Sequence, residues 1–93
     1  MENKEARHYF YVLVCADHSF YAGYTTDPKR REAEHNKGIG SKYTKARRPV
    51  KMVYQCGFET RSLAMKAEAA FKKLTRKQKE GQLRNWKGEK AND

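Results

Sequence analysis

Two runs of strand-forming residues, Tyr9-Phe10-Tyr11-Val12-Leu13-Val14-Cys15 and Phe20-Tyr21-Ala22-Gly23-Tyr24, are separated by only Ala16 to Ser19. A link that short cannot carry the crossover that parallel strands require, so the two runs must pair as an antiparallel hairpin. The first run is aromatic or aliphatic at nearly every position, which suits a strand buried on both faces. Between the runs, Asp17, His18 and Ser19 supply turn chemistry.

The remaining elements follow from capping signals and apolar spacing. Asp27 followed by Pro28 reads as an N-cap with proline at the first helical position, and Gly38 reads as the C-terminal stop. Within that helix Arg31 and His35 are four apart and share a face. The stretch from Ile39 to Pro49 reads as a basic loop carrying Lys42, Tyr43, Lys45, Arg47 and Arg48. A third strand is expected over Val50 to Cys56, with Val50, Met52, Tyr54 and Cys56 on one side and Gly57 and Glu59 breaking it. Thr60 then caps a helix whose stripe of Leu63, Ala67, Ala70, Phe71 and Leu74 should cover the sheet, with Glu68 beside the stripe. Thr75 and Gln78 match the capping box of a last helix carrying Leu83 and Trp86. The expected fold is α/β of the α+β type: a three-stranded antiparallel sheet flanked by helices.

A chain of 93 residues allows one compact core. It is read as a single domain over residues 9–86, with polar tails at 1–8 and 87–93. Its two cysteines, Cys15 and Cys56, lie in apolar runs and are expected to be reduced core residues. There is neither a membrane-length apolar run nor an apolar leader after Met1, so a cytoplasmic monomer that avoids membranes is expected.

The formal net charge is +10, and it is localised. Residues 1–26 carry −1, residues 27–48 carry +5, residues 49–59 are neutral and residues 60–93 carry +6. Two basic segments flanking strand-like ones make a surface suited to phosphate backbones, although lysine surplus also serves plain solubility. Lys42, Tyr43, Lys45, Arg47, Arg48 and, on the later helix, Lys72 are the candidate nucleic-acid contacts.

There is no glycine-rich phosphate loop with its lysine, no serine nucleophile elbow and no cysteine and histidine spacing suited to zinc. What remains is a set of hairpin tyrosines followed by Arg31, His35 and Glu68. Tyr9-Phe10-Tyr11 and Tyr21-Ala22-Gly23 resemble the two halves of the motif that names the GIY-YIG nuclease superfamily. Tyr11 matches the first tyrosine, Tyr21 and Gly23 the second half, Arg31 the arginine and Glu68 the metal-binding carboxylate. The runs Cys15-Ala16-Asp17, Tyr24-Thr25-Thr26-Asp27, Arg31 through Asn36, and Leu74-Thr75-Arg76 are similar to those of small, stand-alone bacterial members. Tyr9 and Phe10 stand where the motif has glycine and isoleucine, and Ala22 where it has isoleucine.

The resemblance implies a metal-dependent endonuclease of low sequence specificity, acting on DNA or RNA in repair or processing, with a protein partner able to supply specificity. In that role Glu68 holds one Mg²⁺ or Mn²⁺, weakly without substrate. Arg31 clamps the phosphate oxygens with its fork of donors. Tyr11 or Tyr21 orients or deprotonates water, and His35 either bonds a phosphate or accepts a proton relayed by a tyrosine. Gly23 gives backbone room. The same residues have plainer roles available, as strand packing for the tyrosines and as an ion-pair partner of Lys72 for Glu68.

The implied site makes a demand on geometry. Tyr11 and Tyr21 share a face only if the hairpin connection has an odd number of residues, such as Asp17 to Ser19, or if a bulge restores the phase. An asparagine that several family nucleases carry near the domain end has no match here, Asn85 lying too far along. The alternative is therefore a non-catalytic nucleic-acid-binding module of the same fold.

Overall fold

The structure is a computed structural model and describes residues 6–84 and Trp86. Expectations for the tails at 1–5 and 87–93, and for Asn85, lie outside the described residues. The strands are β1 (His8–Val14), β2 (Phe20–Thr25) and β3 (Lys51–Phe58). The helices are α1 (Pro28–Asn36), α2 (Lys42–Lys45), α3 (Arg61–Lys72) and α4 (Arg76–Arg84). All three strands are antiparallel in the order β2-β1-β3, so the hairpin is present and β1 is central.

Central placement explains why β1 is apolar throughout. Phe10 and Val12 pack on one face with Ala22 and Phe71, while Tyr11 and Leu13 pack on the other with Cys15 and Val50. The connection between β1 and β2 is odd in length, as the shared-face condition requires. Its three residues are Ala16 to His18, one position earlier than Asp17 to Ser19. Cys15 N–H donates to Ser19 O at 2.8 Å, and His18 takes a left-handed φ of 70°. Tyr11 therefore faces Gly23 across the ladder, and Leu13 faces Tyr21.

Strand β3 departs from strict alternation. Tyr54 opposes Val12 and Met52 opposes Leu13, so an irregularity at Val53 switches the face of everything beyond it. Val50 and Met52 join the Tyr11 side, whereas Tyr54 joins the Phe10 side and Cys56 opposes Phe10. Gly57 does not end the strand, because it still pairs with Tyr9. Cys15 and Cys56 are both free thiols, the first buried and the second half-buried.

Helix α1 begins as its sequence signals, with the Asp27 side chain accepting from Arg30 N–H at 3.2 Å. It ends with Gly38 at φ 85°, where Gly38 N–H bonds His35 O and Ile39 N–H bonds Glu34 O, each at 3.1 Å. That pair of bonds satisfies carbonyls the last turn would otherwise leave open. The basic loop contains an element not expected there. Ser41 caps α2 by accepting from Thr44 N–H at 3.1 Å.

Helix α3 covers the Phe10 face. Its buried line is Ala64 and Phe71, with Ala67, Glu68 and Leu74 half-buried; Leu63 and Ala70 are exposed. The stripe is thus centred on Phe71, and a helical step of seven back reaches Ala64 rather than Leu63. This rotation brings Glu68 partly inward, to 16% side-chain exposure. The capping box of α4 forms, with Thr75 N–H to Gln78 Oε1 at 3.0 Å and Gln78 N–H to Thr75 Oγ1 at 3.2 Å. Leu83 lies on α4, while Trp86 lies beyond it with its ring 6.4 Å from that of Tyr54. No helix of the described residues is long and apolar enough to cross a membrane.

Candidate active site and nucleic-acid interface

The hairpin register sends the Tyr11 ring across Gly23. A Cβ at position 23 would lie 2.6 Å from the Tyr11 hydroxyl, so only glycine leaves the ring its place. From there the phenol meets α1, where its oxygen lies 2.8 Å from Nε2 of His35. The other ring nitrogen, Nδ1, lies 2.7 Å from Thr44 Oγ1 on α2. Tyr11, His35 and Thr44 are all closed to solvent.

Burial decides the protonation of this pair. It pushes the Tyr11 phenol up to about 12, with Arg31 pulling the other way and Tyr21 and Glu68 adding to the rise. Burial also lowers His35 to about 4, helped by the neighbouring Arg31 charge and opposed by Glu34. At neutral pH both groups are uncharged. Of the two options for Tyr11, deprotonating water is therefore disfavoured, because loss of hydration outweighs the guanidinium and keeps the phenol protonated. The phosphate-bonding option for His35 is removed as well, since both its ring nitrogens already have partners inside the protein.

Arg31, one turn before His35, is partly exposed at 29% of its side chain. Its Nη1 donates to Glu34 Oε1 at 2.9 Å and its Nη2 to the Gly40 carbonyl at 3.1 Å. Burial works against its charge, but the hydrogen bond to Glu34 and the neighbouring Tyr11 phenol outweigh that and hold the guanidinium protonated. Tyr21 packs edge-on against His35, with centroids 5.1 Å apart, and tilts against Tyr11 at 6.5 Å. Glu68 lies on α3, where it pairs with Lys72 at 2.7 Å. Residues from β1, β2 and α1 thus meet in contact.

The candidate nucleic-acid contacts divide into two kinds. Tyr43 is 37% exposed and stacks on Tyr21 with centroids 5.9 Å apart, so the loop extends the aromatic cluster outward. Tyr21, Tyr43, Lys72 and Lys79 are among the residues that line a cleft of about 230 Å³, which brings the loop and α3 to one opening. Lys42 and Lys45 are exposed on α2. Arg47 and Arg48 also bond within the protein. Arg47 bonds Asp17 at 3.1 Å and the Tyr43 carbonyl at 2.9 Å, with its guanidinium 3.8 Å over the Tyr43 ring. Arg48 Nε bonds the Lys45 carbonyl at 2.9 Å.

The residues that sequence reading missed are Gly40, Ser41 and Thr44. A Cβ at Gly40 would collide with the His35 ring, 2.6 Å from its Cγ. The signal was present in Ser41-Lys42-Tyr43-Thr44, a cap residue followed by a hydroxyl one turn later, but the run of positive charge drew it into a loop.

Comparison with known proteins shows the family. The GIY-YIG catalytic domain matches residues 7–82. A UPF0213 protein of Enterococcus faecalis is 65% identical over 88 residues, covering 92% of this chain and 99% of its own. The UPF0213 protein YazA of Bacillus subtilis is 56% identical over 73 residues, covering 78% and 74%. Among solved structures, the solution NMR structure of a UPF0213 protein from Bacillus halodurans superposes with a TM-score of 0.58 at 41% identity, covering 91% and 90%. That of an E. faecalis protein superposes at 0.57 and 64% identity, covering 90% and 88%. The chain belongs to the GIY-YIG catalytic-domain family, in its group of small UPF0213 proteins.

Proposed function

We propose that this protein hydrolyses phosphodiester bonds in DNA or RNA, with low sequence specificity and with a divalent metal ion as cofactor. The observation that carries the reading is the meeting of Tyr11 and Tyr21, from the hairpin, with His35 of α1, one helical turn beyond the partly exposed Arg31. Hydrolysis needs neutralised phosphate charge, an oriented water and a stabilised leaving oxygen. Arg31 supplies a fixed cation that is partly open to solvent. Tyr21, half-buried and lining the cleft, would be the phenol that orients water, while the buried Tyr11 holds the histidine in position.

In this reading the one oxygen donor from the protein is Glu68, a hard ligand. Among the described residues no group of three or more histidine, cysteine or acidic side chains is gathered, and Glu68 offers one carboxylate. An ion such as Mg²⁺ or Mn²⁺ that takes most of its shell from water and substrate phosphate suits such a site. When bound it would lower the pKa of water and offset phosphate charge. Lys72 is the counter-charge of Glu68 without it.

Incubation with Mg²⁺ or Mn²⁺ and single-stranded, duplex and branched substrates tests the proposal. Cleavage that is lost in Glu68→Ala, with binding retained, supports it. Binding without any cleavage beyond the Glu68→Ala control replaces it with the non-catalytic module.

A further inference from the structure

We propose that the cleft where β2, α2, α3 and α4 meet is a subsite for one unpaired nucleobase, which makes single strands, or the unpaired arm of a branched molecule, the substrate class of this protein. The inference rests on the hydrolytic reading for its bearing on catalysis, but not for the binding itself.

The cleft, of about 230 Å³, has Tyr21, Ala22, Tyr43, Phe71, Lys72 and Lys79 among its lining residues. Sites for whole small molecules run to roughly 300 to 1,000 Å³, so this one suits a single ring system and is too small for a base pair. Its lining divides in two. The aromatic and apolar side chains offer a surface to the face of a base, and the two lysines offer charge to the phosphates on either side of it. No lining residue is acidic.

The lining is prepared before any ligand arrives. The Tyr43 ring is held by the Tyr21 ring, with centroids 5.9 Å apart, and by the Arg47 guanidinium at 3.8 Å. Arg47 is itself tied to Asp17 at 3.1 Å and to the Tyr43 carbonyl at 2.9 Å. Tyr43 nevertheless stays 37% exposed, so an ordered aromatic surface is open to a partner. Lys79 places its Nζ 5.5 Å from the centroid of the Phe71 ring and has no carboxylate partner among the described residues. Lys72, although paired with Glu68 at 2.7 Å, keeps 57% of its side chain exposed.

In a duplex the faces of each base are covered by its neighbours, and only its edges show in the grooves. A cleft lined by rings, with no amide or carboxylate side chain to read an edge, is matched to a face instead. A duplex must break a pair to fill it, whereas a single strand need not, and a base of any identity serves. Tyr21 also packs on His35, with centroids 5.1 Å apart, so the subsite adjoins the residues proposed for hydrolysis.

Fluorescence anisotropy without metal tests the subsite, using a short labelled single strand and the same strand built from abasic residues, which keeps the phosphates and lacks the bases. The wild type should bind the intact strand about tenfold more tightly than the abasic one, and Tyr43→Ala should lose that factor on the intact strand alone. Unchanged binding of the abasic strand then shows that the variant is folded. No preference for bases in the wild type, or an equal loss on both strands in Tyr43→Ala, would overturn the proposal. Lys79→Gln should weaken both strands alike and lower the slope of log affinity against log salt by about 0.7; an unchanged slope would overturn it too. Base-dependent binding by a protein that cuts nothing would refute hydrolysis and leave the subsite. Cleavage of blunt duplex as fast as of single strand would refute the subsite and leave hydrolysis.

Discussion

The Tyr11 hydroxyl and Nε2 of His35 lie 2.8 Å apart across 24 residues of sequence, and neither side chain meets solvent. The bond joins the central strand to the first helix, so removing either partner leaves a buried polar atom alone. Tyr11→Phe should destabilise the fold by about 1 to 3 kcal/mol, the usual cost of an orphaned buried polar atom, and should abolish cleavage. Urea denaturation of the wild type and the variant measures the first effect; an unchanged midpoint would show that His35 finds another donor.

Gly23 and Gly40 are each pressed against one member of that pair. In an ordinary strand, glycine to alanine is neutral or stabilising. Here a Cβ at 23 would meet the Tyr11 hydroxyl at 2.6 Å and Cζ at 2.7 Å, and one at 40 would run into the His35 ring. Both substitutions should cost about 1 to 3 kcal/mol, as overpacking does. Gly81→Ala is the control, since nothing lies within 4 Å of a Cβ there. A thermal melt in which all three variants behave alike would contradict the close packing.

These relationships show what the sequence made legible and what it hid. The antiparallel hairpin and the caps at Asp27, Thr60 and Thr75 were readable because each rests on neighbours a few residues apart, whereas the odd connection followed only from requiring Tyr11 and Tyr21 to share a face. The switch of face at Val53 was not readable, since a bulge is set by what the partner strand presents. Arg31 and His35 could be placed on one helix face from spacing alone. That His35 would be fully buried depends on Thr44 and Gly40, which only the folded chain brings to it. Glu68 was placed beside the stripe because Leu63 outweighed Ala64 in hydrophobicity, yet Phe71 sets the rotation of α3.

The basic loop should separate binding from folding. Lys42 and Lys45 are exposed, so exchange of each for glutamine should weaken nucleic-acid binding with little change in stability. The slope of log affinity against log salt should shrink by about 0.7 to 0.9 per lysine that contacts a phosphate. Arg47→Ala should instead loosen the fold, because Arg47 ties Asp17 in the hairpin turn to Tyr43 on α2. Salt titrations of binding beside urea melts distinguish the two, and a wild-type salt slope retained in the double lysine variant would exclude this surface.

Acid should unfold the protein through His35. In the unfolded chain the imidazole takes a proton near its ordinary value of 6.5, whereas in the fold burial holds it to about 4. The unfolded state therefore binds more protons between these values, and the stability His35 contributes is present above pH 6.5 and lost as pH falls toward 4. The shift corresponds to roughly 3 kcal/mol, at 1.36 kcal/mol per pH unit. Tyr11 acts at the other end of the scale. Its folded value of about 12 against 10 means the unfolded state releases its proton first, so stability should fall as pH rises from 10 to 12. Urea midpoints measured from pH 4 to 11 should give a plateau with both shoulders, and His35→Gln should flatten the acidic one. An acidic shoulder of full size in that variant would assign the loss to the carboxylates instead.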